Sequence, residues 1–389
     1  MKKILFISPV EPSSGGTGLA MRAHAVLGAL RSFSQVFLLV LDPWRGDKTS
    51  KQMGMVGVAR IEIPDQLFEN QLSGHMGVKI TPREWPTVTR QQQAFFYDLG
   101  RDLCIDKVHV FRFYMAPYAE IFFGQIPCEL DLDELESHTR LRHAKSCKNS
   151  SEYALERIYK MEASFYVAVE KSLLIKFNEI YVCSDVAKEY LISLVDKAKI
   201  KVLPNVVHIP APLAPLKSAK VFTIIFVGNM GYFPNIDAVK YICDEIVPAL
   251  RKIMKVLFVV KIFGLGELPE HVKELLPREV LWLGFAETLE PEYQGCEIVL
   301  VPIRSGGGTR IKILEAFAHS RPLVSTTIGA EGLQVQHGQH YMEANSAVEI
   351  ANACLQLQES GHLRKYLSEN AYALVKKEYA LSSLKEILC

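Results

Sequence analysis

The chain has 389 residues, 49% of them hydrophobic, and a formal net charge of +1 at neutral pH. Because single hydrophobic cores stop growing beyond about 250–300 residues, this length predicts two domains. The near-zero net charge disfavours a nucleic-acid binder that depends on bulk positive charge, so we expect no nucleic-acid partner.

Eight cysteines are scattered along the chain without a Cys-x-x-Cys pair or a companion histidine spacing. This pattern predicts free thiols in a reducing compartment, and neither a disulfide framework nor a zinc site. The opening apolar run, Ile4–Ile7, is too short to direct export, and no later run approaches the roughly 18 apolar residues of a spanning helix. We expect a cytoplasmic protein, with peripheral contact at the inner face of the membrane left open.

The first half of the chain alternates strand-like and helix-like segments. A buried strand at Ile4–Ser8, a helix at Leu19–Phe33 and a strand at Val36–Leu41 predict a parallel sheet. Residues 42–94 are less regular, and either an elaboration around a site or a variable surface insertion fits them. The alternation then resumes with strands at Val108–Phe111, Cys128–Asp131, Glu179–Cys183 and Ile200–Leu203, and helices at Ala116–Phe123 and from about Ser150 to Phe177.

A proline-rich stretch from Pro204 to Lys220 is the best domain boundary in the sequence. After it the alternation restarts, with strands at Phe222–Val227, Val256–Phe263, Val280–Leu283, Ile298–Val301 and Leu323–Ser325, and helices from Asn235 and near 346–359 and 362–377. Two such α/β halves facing each other would form a cleft at the carboxyl ends of both parallel sheets, where open α/β folds bind ligands.

The most informative segment is residues 302–333, in which Gly306, Gly307 and Gly308 precede a helix-like run that Thr309 can cap. The first turn of a helix carries unpaired N–H groups and about half a positive charge. Glycines let an oxygen atom approach the backbone closely. The segment therefore predicts an anion site suited to a diphosphate.

Charged side chains follow the glycines at helical spacing. Gly308, Lys312 and Glu315 would share one helix face, and Arg310 can bind an oxyanion through two parallel N–H groups, with Arg304 in reserve. At ~1.5 Å of rise per residue, Lys312 and Glu315 lie about 4.5 Å apart along the axis, roughly the span from a nucleotide's diphosphate to its ribose hydroxyls. The alternative is an ordinary solvated helix pair behind a flexible glycine loop.

This segment resembles the donor-binding signature of family 4 glycosyltransferases, retaining enzymes of the GT-B fold with two Rossmann-like domains. The resemblance covers most of the second half, through Phe226-Val-Gly228-Asn-Met, Pro234-Asn235, Ile246–Arg251, Phe263-Gly-Leu-Gly266 and residues 302–333. It implies that the following residues bind a nucleotide-sugar donor, with Glu315 on the ribose: Gly228, Asn229, Ser305, Gly306, Gly307, Gly308, Thr309 and Glu315. The family often has a further glutamate, which would fall on Gly307 here, so that contact to the donor sugar is missing.

The resemblance is weaker in the first half, where it rests on Gly15–Gly18, Asp131-Leu-Asp133-Glu and Leu203-Pro-Asn205. It implies that Gly16 and Gly18 form the far wall of the donor phosphate and acceptor site. A plain tight turn is one alternative. The other is a partial dinucleotide fingerprint, in which Met21 stands where a glycine is expected and Asp42 would be the ribose acid.

Asp131 and Asp133 occupy the place where many relatives carry a histidine at the cleft. A carboxylate there could orient the donor sugar or accept the proton of the acceptor hydroxyl. The alternative is that these acids, with Glu134 and Glu136, form a solvated helix start. The letters Asp-x-Asp also suit a metal-dependent transferase, but the domain order differs, so we expect no metal and no separate cofactor.

Together these features predict a retaining, metal-independent glycosyltransferase of hexosyltransferase type, with a UDP-, GDP- or ADP-linked donor and a carbohydrate or lipid-linked acceptor. Polysaccharide, lipopolysaccharide or glycolipid assembly is the expected setting. We expect an acceptor-binding domain at residues 1–203, a linker at 204–220, a nucleotide-sugar domain at 221–375, and a helix at 376–389 that packs back on the first domain. The alternatives are a sugar-nucleotide epimerase, a non-catalytic nucleotide-sugar-binding protein and a nicotinamide oxidoreductase.

Overall fold

The structure is a computed structural model that describes residues 1–41, 58–60, 82, 84–149, 153–211 and 221–389. Asp42, most of the irregular stretch before residue 84, and residues 212–220 of the expected linker lie outside this part of the chain. The chain divides into two units, one formed by Met1–Pro204 with Leu384–Cys389 and the other by Asn205–Ser383.

The first unit contains a seven-stranded sheet in the order β3-β2-β1-β4-β5-β6-β7, and neighbouring strands pair in parallel throughout. Two of its strands, at residues 2–8 and 34–40, contain nearly continuous apolar runs, because both faces of a parallel sheet are covered. The strands are β1 (Lys2–Ser8), β2 (Ser34–Val40), β3 (Val58–Arg60), β4 (Lys107–Phe111), β5 (Cys128–Asp133), β6 (Glu179–Val182) and β7 (Ile200–Val202).

Helices connect these strands, and several begin at a residue whose side chain caps them. Thr17 caps the first helix, Thr89 and Gln92 form a capping box at the second, and Ser184 caps the helix after β6. The α-helices of this unit are α1 (Gly18–Leu30), α2 (Arg90–Asp102), α3 (Ala116–Ala119), α4 (Glu136–Asn149), α5 (Tyr153–Leu173) and α6 (Asp185–Leu191). The expected helix at 116–123 is thus only one turn of α-helix, and α4 was not predicted as a helix of its own.

The second unit contains a six-stranded sheet in the order β10-β9-β8-β11-β12-β13, again with parallel pairing throughout. The strands are β8 (Val221–Val227), β9 (Leu257–Phe263), β10 (Val280–Gly284), β11 (Ile298–Val301), β12 (Leu323–Ser325) and β13 (Met342–Glu343). The prediction of two α/β halves, each built on a parallel sheet, is confirmed.

The helices of the second unit follow the predicted alternation closely. They are α7 (Phe233–Tyr241), α8 (Val247–Ile253), α9 (Glu270–Lys273), α10 (Glu290–Gln294), α11 (Ile311–Ala318), α12 (Thr327–Ala330), α13 (Ala347–Glu359) and α14 (Gly361–Glu378). A last helix, α15 (Ser382–Leu388), ends the chain, and its residues from Leu384 belong to the first unit. None of the helices in the described residues is long and apolar enough to cross a lipid bilayer.

The ends of β8 and β9 approach each other closely at two glycines. The amide of Gly228 donates to the carbonyl oxygen of Phe263 at 2.9 Å, and a Cβ atom on Gly264 would lie 1.6 Å from the carbonyl oxygen of Gly228. No side chain fits in that space. Gly264 therefore fixes the position of the loop that leads from β8 into α7.

Gly264→Ala should lower the free energy of unfolding by about 3 kcal/mol or more, because backbone atoms must move to admit the new methyl group. Thermal unfolding of the purified variant measures this effect. The matched control is Gly361→Ala, where the nearest atom to the new Cβ would be Arg364 Nη2 at 3.7 Å. We expect that control to change stability by no more than about 1 kcal/mol, and equal melting temperatures for both variants would contradict the assignment.

Candidate functional site

The glycine-rich loop between β11 and α11 has a backbone that requires glycine. Gly306 and Gly308 have φ values of 113° and 66°, in the left-handed region that side chains disfavour. A Cβ atom on Gly306 would also lie 2.9 Å from Tyr232 Oη and 3.0 Å from Arg310 Nη2. The loop is therefore packed tightly against two side chains and is not a flexible tether.

The start of α11 differs from the sequence expectation. The residue at the N-cap is Arg310, and no side chain caps the helix. Thr309, which was predicted to cap it, instead accepts a hydrogen bond at Oγ1 from Asn205 Nδ2 at 2.8 Å. Gly308 precedes the helix and so does not share its face with Lys312 and Glu315. The leading N–H groups of α11 consequently have no capping oxygen from a side chain of the described residues.

The guanidinium of Arg310 is held by its own loop and leaves one edge unused. The side chain is buried, with the residue 8% exposed, and Nη1 donates to the carbonyl oxygens of Gly307 and, at 2.7 Å, Gly308. Nε and Nη2, which point the same way, are buried and have no hydrogen-bond partner in the described part of the chain. Buried N–H groups are nearly always paired, so this edge is suited to the two oxygens of an anion.

Lys312 lies in the first turn of the helix and is held by an amide. Its Nζ donates to Oδ1 of Asn235 at 2.7 Å and lies 4.6 Å from the centre of the Phe226 ring. Burial and, secondarily, the charge of Arg310 lower the pKa of Lys312 to about 7, while Glu315 acts in the opposite direction. A bound anion would favour the charged form of this amine.

Glu315 lies one turn beyond Lys312 on the same face. Burial raises the pKa of its carboxyl group to about 7, and the nearby charge of Lys312 opposes that shift. Within the described residues its carboxylate has no hydrogen-bond donor. The hydroxyl of Tyr293 is buried and has no hydrogen-bond partner among the described residues. Burial raises the pKa of this tyrosine, and the charge of Glu315 is the next largest cause of the shift. The carboxylate thus remains able to accept hydrogen bonds from a ligand.

Gly228 and Asn229 support this site from the end of β8. Asn229 accepts at Oδ1 from the amide of Gly231, and at its carbonyl oxygen from Asn235 Nδ2, both at 2.8 Å. A Cβ atom on Gly228 would lie 2.7 Å from Cγ of Asn235. In the second unit, the predicted residues that follow β8 and those of the glycine loop therefore come together beyond the carboxyl ends of the two central strands, β8 and β11.

Two other predicted residues of the loop differ in their surroundings. Ser305 is buried, and its hydroxyl has no hydrogen-bond partner in the described residues. Arg304, considered as a reserve cation, forms a bidentate ion pair with Asp237 at 2.6 and 3.0 Å and lies over the Tyr241 ring. Because its charge is already neutralised, Arg304 is not available to a phosphate in this arrangement.

Gly16 and Gly18 belong to the first unit. Gly18 is the first residue of α1, which Thr17 caps, and Gly16 has a φ of 98° in the exposed loop after β1. Their predicted part in a donor or acceptor site remains a prediction.

Asp131 does not have the setting of a catalytic base. It is fully buried and accepts hydrogen bonds from Arg22, from Nη2 at 2.7 Å and from Nε at 3.1 Å. The same Nη2 donates to the carbonyl oxygen of Leu203 at 3.0 Å. This buried ion pair links α1, β5 and the end of the first unit, and it corrects both readings of Asp131, the solvated acid and the cleft acid. A charged residue inside the apolar run of α1 was the signal for it.

Asp133 lies at a more accessible position in a strained segment. Its φ of 59° and that of Arg112, 74°, are both left-handed, and Asp133 Oδ2 accepts from Arg112 Nη1 at 3.1 Å. Its Oδ1 is 3.6 Å from Arg22 Nε and has no hydrogen bond. Glu134 and Glu136 also pair with Arg112 and so are not solvated as one reading had them. Of the two predicted aspartates, Asp133 is the one that keeps an unused oxygen.

Two buried glutamates lie next to these acids. Burial raises the pKa of Glu136 to about 7 although Arg112 opposes the shift, and burial likewise raises the pKa of Glu170 to about 7. Within the described ranges, no group of three or more His, Cys, Asp or Glu side chains is arranged to hold a metal ion. None of the eight cysteines, all of which lie in the described residues, forms a disulfide bond.

Comparison with known proteins identifies the class of this fold. Residues 221–360 match the family described as "Glycosyl transferases group 1". Sucrose-phosphate synthase from Thermosynechococcus elongatus superposes with a TM-score of 0.72 at 16% identity, covering 100% of this chain and 97% of that chain. HepE from Anabaena, in complex with UDP and glucose, superposes with a TM-score of 0.66 at 14% identity, covering 100% of this chain and 98% of that one.

A sequence relative is an uncharacterized 44.6 kDa protein in the cps region of Klebsiella pneumoniae, 26% identical over 186 residues. The match covers 44% of this chain and 47% of that protein, so it spans about half the length of the relative. The fold is therefore GT-B, as predicted, and residues 221–360 of the second unit are similar to the group 1 glycosyl transferases. Together these similarities support a glycosyltransferase.

Asp131→Asn should lower the free energy of unfolding by about 3–5 kcal/mol, because it leaves the buried charge of Arg22 without its hydrogen-bonded counter-charge. Asp133→Asn, two residues away and partly exposed, is the matched control and should cost about 1 kcal/mol or less. Urea denaturation followed by circular dichroism compares the two. If Asp131→Asn unfolds at the same urea concentration as the native chain, the ion pair does not have the structural role assigned to it.

Proposed function

We propose that this chain is a retaining glycosyltransferase of family 4 type, which transfers a hexose from a nucleotide-diphosphate donor to an acceptor hydroxyl without a metal. The observation that carries the proposal is the buried, unpartnered edge of Arg310 next to the uncapped start of α11. Both features favour an anion at the same place, and Lys312 adds a second cation in the first turn of α11.

The distances along α11 suit a nucleoside diphosphate. The diphosphate would contact Arg310, Lys312 and the leading N–H groups of the helix, while its ribose would reach Glu315, about 4.5 Å further along the axis at ~1.5 Å per residue. UDP is the first candidate, because the GT-B relative HepE is described in complex with UDP and glucose. GDP and ADP donors remain part of the proposal until they are compared directly.

The proposed reaction breaks the bond between the sugar's anomeric carbon and the donor phosphate oxygen, and forms a bond from the acceptor oxygen to that carbon on the same face. The proton of the acceptor hydroxyl passes to the departing diphosphate. Arg310 and Lys312 would stabilise the charge that accumulates on this leaving group, which is where electrostatic catalysis contributes most. Holding the donor and the acceptor close together in the orientation of the reaction supplies the rest of the rate enhancement.

The first unit is proposed to bind the acceptor, a carbohydrate or a lipid-linked sugar. Asp133 is retained there as the residue that orients a hydroxyl, because one of its oxygens is unused, whereas Asp131 is not retained. Gly16 and Gly18 are proposed to border the acceptor. Polysaccharide, lipopolysaccharide or glycolipid assembly at the cytoplasmic face of a membrane is the proposed setting.

The direct test is a thermal-shift and calorimetric screen of the native chain with UDP, GDP, ADP and their sugars, followed by product analysis with and without acceptor sugars. Binding of one nucleotide family, with transfer that requires an acceptor, supports the proposal. Sugar epimerisation without an acceptor would identify an epimerase instead. Tight binding without any turnover across a broad acceptor panel would favour a non-catalytic binding protein, consistent with Gly307 in place of a glutamate.

Substitutions at the site should separate binding from catalysis. Glu315→Ala should weaken nucleotide binding about tenfold, because a charge-assisted hydrogen bond to the ribose is lost. Arg310→Ala should mainly reduce turnover, by about 100-fold, because it removes stabilisation of the leaving group. Calorimetry and steady-state kinetics measure these two effects. Exposed residues of the same type, Glu359→Ala and Arg278→Ala, are the controls, and unchanged kinetics in both site variants would contradict the roles given to them.

The affinity for UDP-glucose should pass through a maximum near pH 7. Lys312, with its pKa lowered to about 7, loses its charge above that pH, whereas Glu315, with its pKa raised to about 7, loses its charge below it. Lys312→Met should therefore remove the decline at high pH, and Glu315→Gln the decline at low pH. Calorimetric titrations from acidic to alkaline pH test this, and a flat profile in the native chain would rule out both assignments.

A further inference from the structure

We propose that Asn235 is a positioning residue for the donor site, because it holds the Lys312 ammonium with a neutral acceptor and so leaves the positive charge available to the donor diphosphate. This inference rests on the proposed function. It adds a residue whose side chain would act through Lys312 and not by touching the ligand.

The hydrogen bonds of Asn235 define its orientation on both sides. Oδ1 accepts from Lys312 Nζ at 2.7 Å, and Nδ2 donates to the carbonyl oxygen of Asn229 at 2.8 Å. The reversed amide would bring its NH₂ group against an ammonium and its oxygen against a carbonyl, so only one orientation satisfies both partners. Asn235 thus connects the loop after β8 to the first turn of α11.

The surroundings of Asn235 leave it little freedom to move. The residue is 5% exposed and lies in the first turn of α7, where its backbone N–H donates to the carbonyl oxygen of Tyr232 at 3.0 Å. The absence of a side chain at Gly228 makes room for it, because a Cβ atom there would lie 2.9 Å from Asn235 Oδ1. A side chain packed in this way can direct the lysine that it contacts.

The chemistry of the acceptor distinguishes Lys312 from Arg22 and Arg304. Arg22 is paired with Asp131 and Arg304 with Asp237, and in each case a carboxylate cancels the charge. Lys312 is bonded to an amide, and the charged groups that act on it are Arg310 and Glu315, one turn or less away on the chain. An amide directs the ammonium without neutralising it, which a site for an anion requires.

The experiment measures UDP-glucose binding by calorimetry, since the diphosphate of this probe does not titrate near neutral pH. The variants are Asn235→Ala, Asn235→Asp, Lys312→Met and the double variant of Asn235→Ala with Lys312→Met. The exposed Asn352→Ala in α13 is the matched control. We expect Asn235→Ala to weaken binding about tenfold in the native background, as for loss of a hydrogen bond to a charged group, and to have no further effect when Lys312 is already Met.

Asn235→Asp keeps the side-chain volume beside Gly228, so it tests the charge argument even if Asn235→Ala is too unstable to purify. It should weaken binding, because a carboxylate cancels the ammonium, and it should move the loss of affinity to higher pH, because the pKa of Lys312 rises. Equal or tighter binding by Asn235→Asp would overturn the inference.

The two failures can be told apart. Asn235→Ala that binds UDP-glucose as the native chain does, or that weakens binding as much in the Lys312→Met background, would overturn the inference while leaving the proposed function intact. A native chain that binds none of the nucleotides and nucleotide sugars would overturn the proposed function, and this inference with it.

Discussion

Two cationic side chains, Arg310 and Lys312, are held largely out of water at the start of one short helix, and neither has a carboxylate in hydrogen-bonding contact within the described residues. Burying a charged amine costs free energy, and the like charge of Arg310 adds to that cost, which is why the pKa of Lys312 falls. The fold supports this arrangement with carbonyl oxygens of the glycine loop and the amide of Asn235. A bound anionic ligand would offset this free-energy cost. The two cations are therefore best understood as a binding site for such a ligand.

Three other arginines of this chain are paired with carboxylates. Arg22 and Arg112 in the first unit each have aspartate or glutamate partners, and Arg304 in the second unit has Asp237. These pairs satisfy hydrogen bonds and stabilise the packing of strand ends against helices. The contrast between neutralised and unneutralised cations, within one chain, is a stronger indicator of a binding site than the number of cations.

The architecture could be predicted from the sequence because it depends on long, regular patterns. Apolar runs separated by helical stretches define both parallel sheets, and a glycine run before an amphipathic helix defines the loop. The start of α11 could not be predicted, because the hydroxyl of Thr309 accepts a hydrogen bond from Asn205, which is 104 residues away in sequence. The helix then begins one residue later, with Arg310 at the N-cap position. The ion pair of Asp131 could not be predicted for a similar reason, since its partner Arg22 lies 109 residues away in sequence.

The buried glutamates of the first unit have a consequence for the whole chain. Because folding raises the pKa of Glu136 and Glu170 to about 7 from an ordinary 4.5, the native state holds more protons than the unfolded chain between these values. Their contribution to stability is therefore complete in mild acid and is lost as the medium becomes neutral. Most proteins weaken on acidification through their carboxylates, whereas the contribution of these two groups changes with pH in the opposite direction.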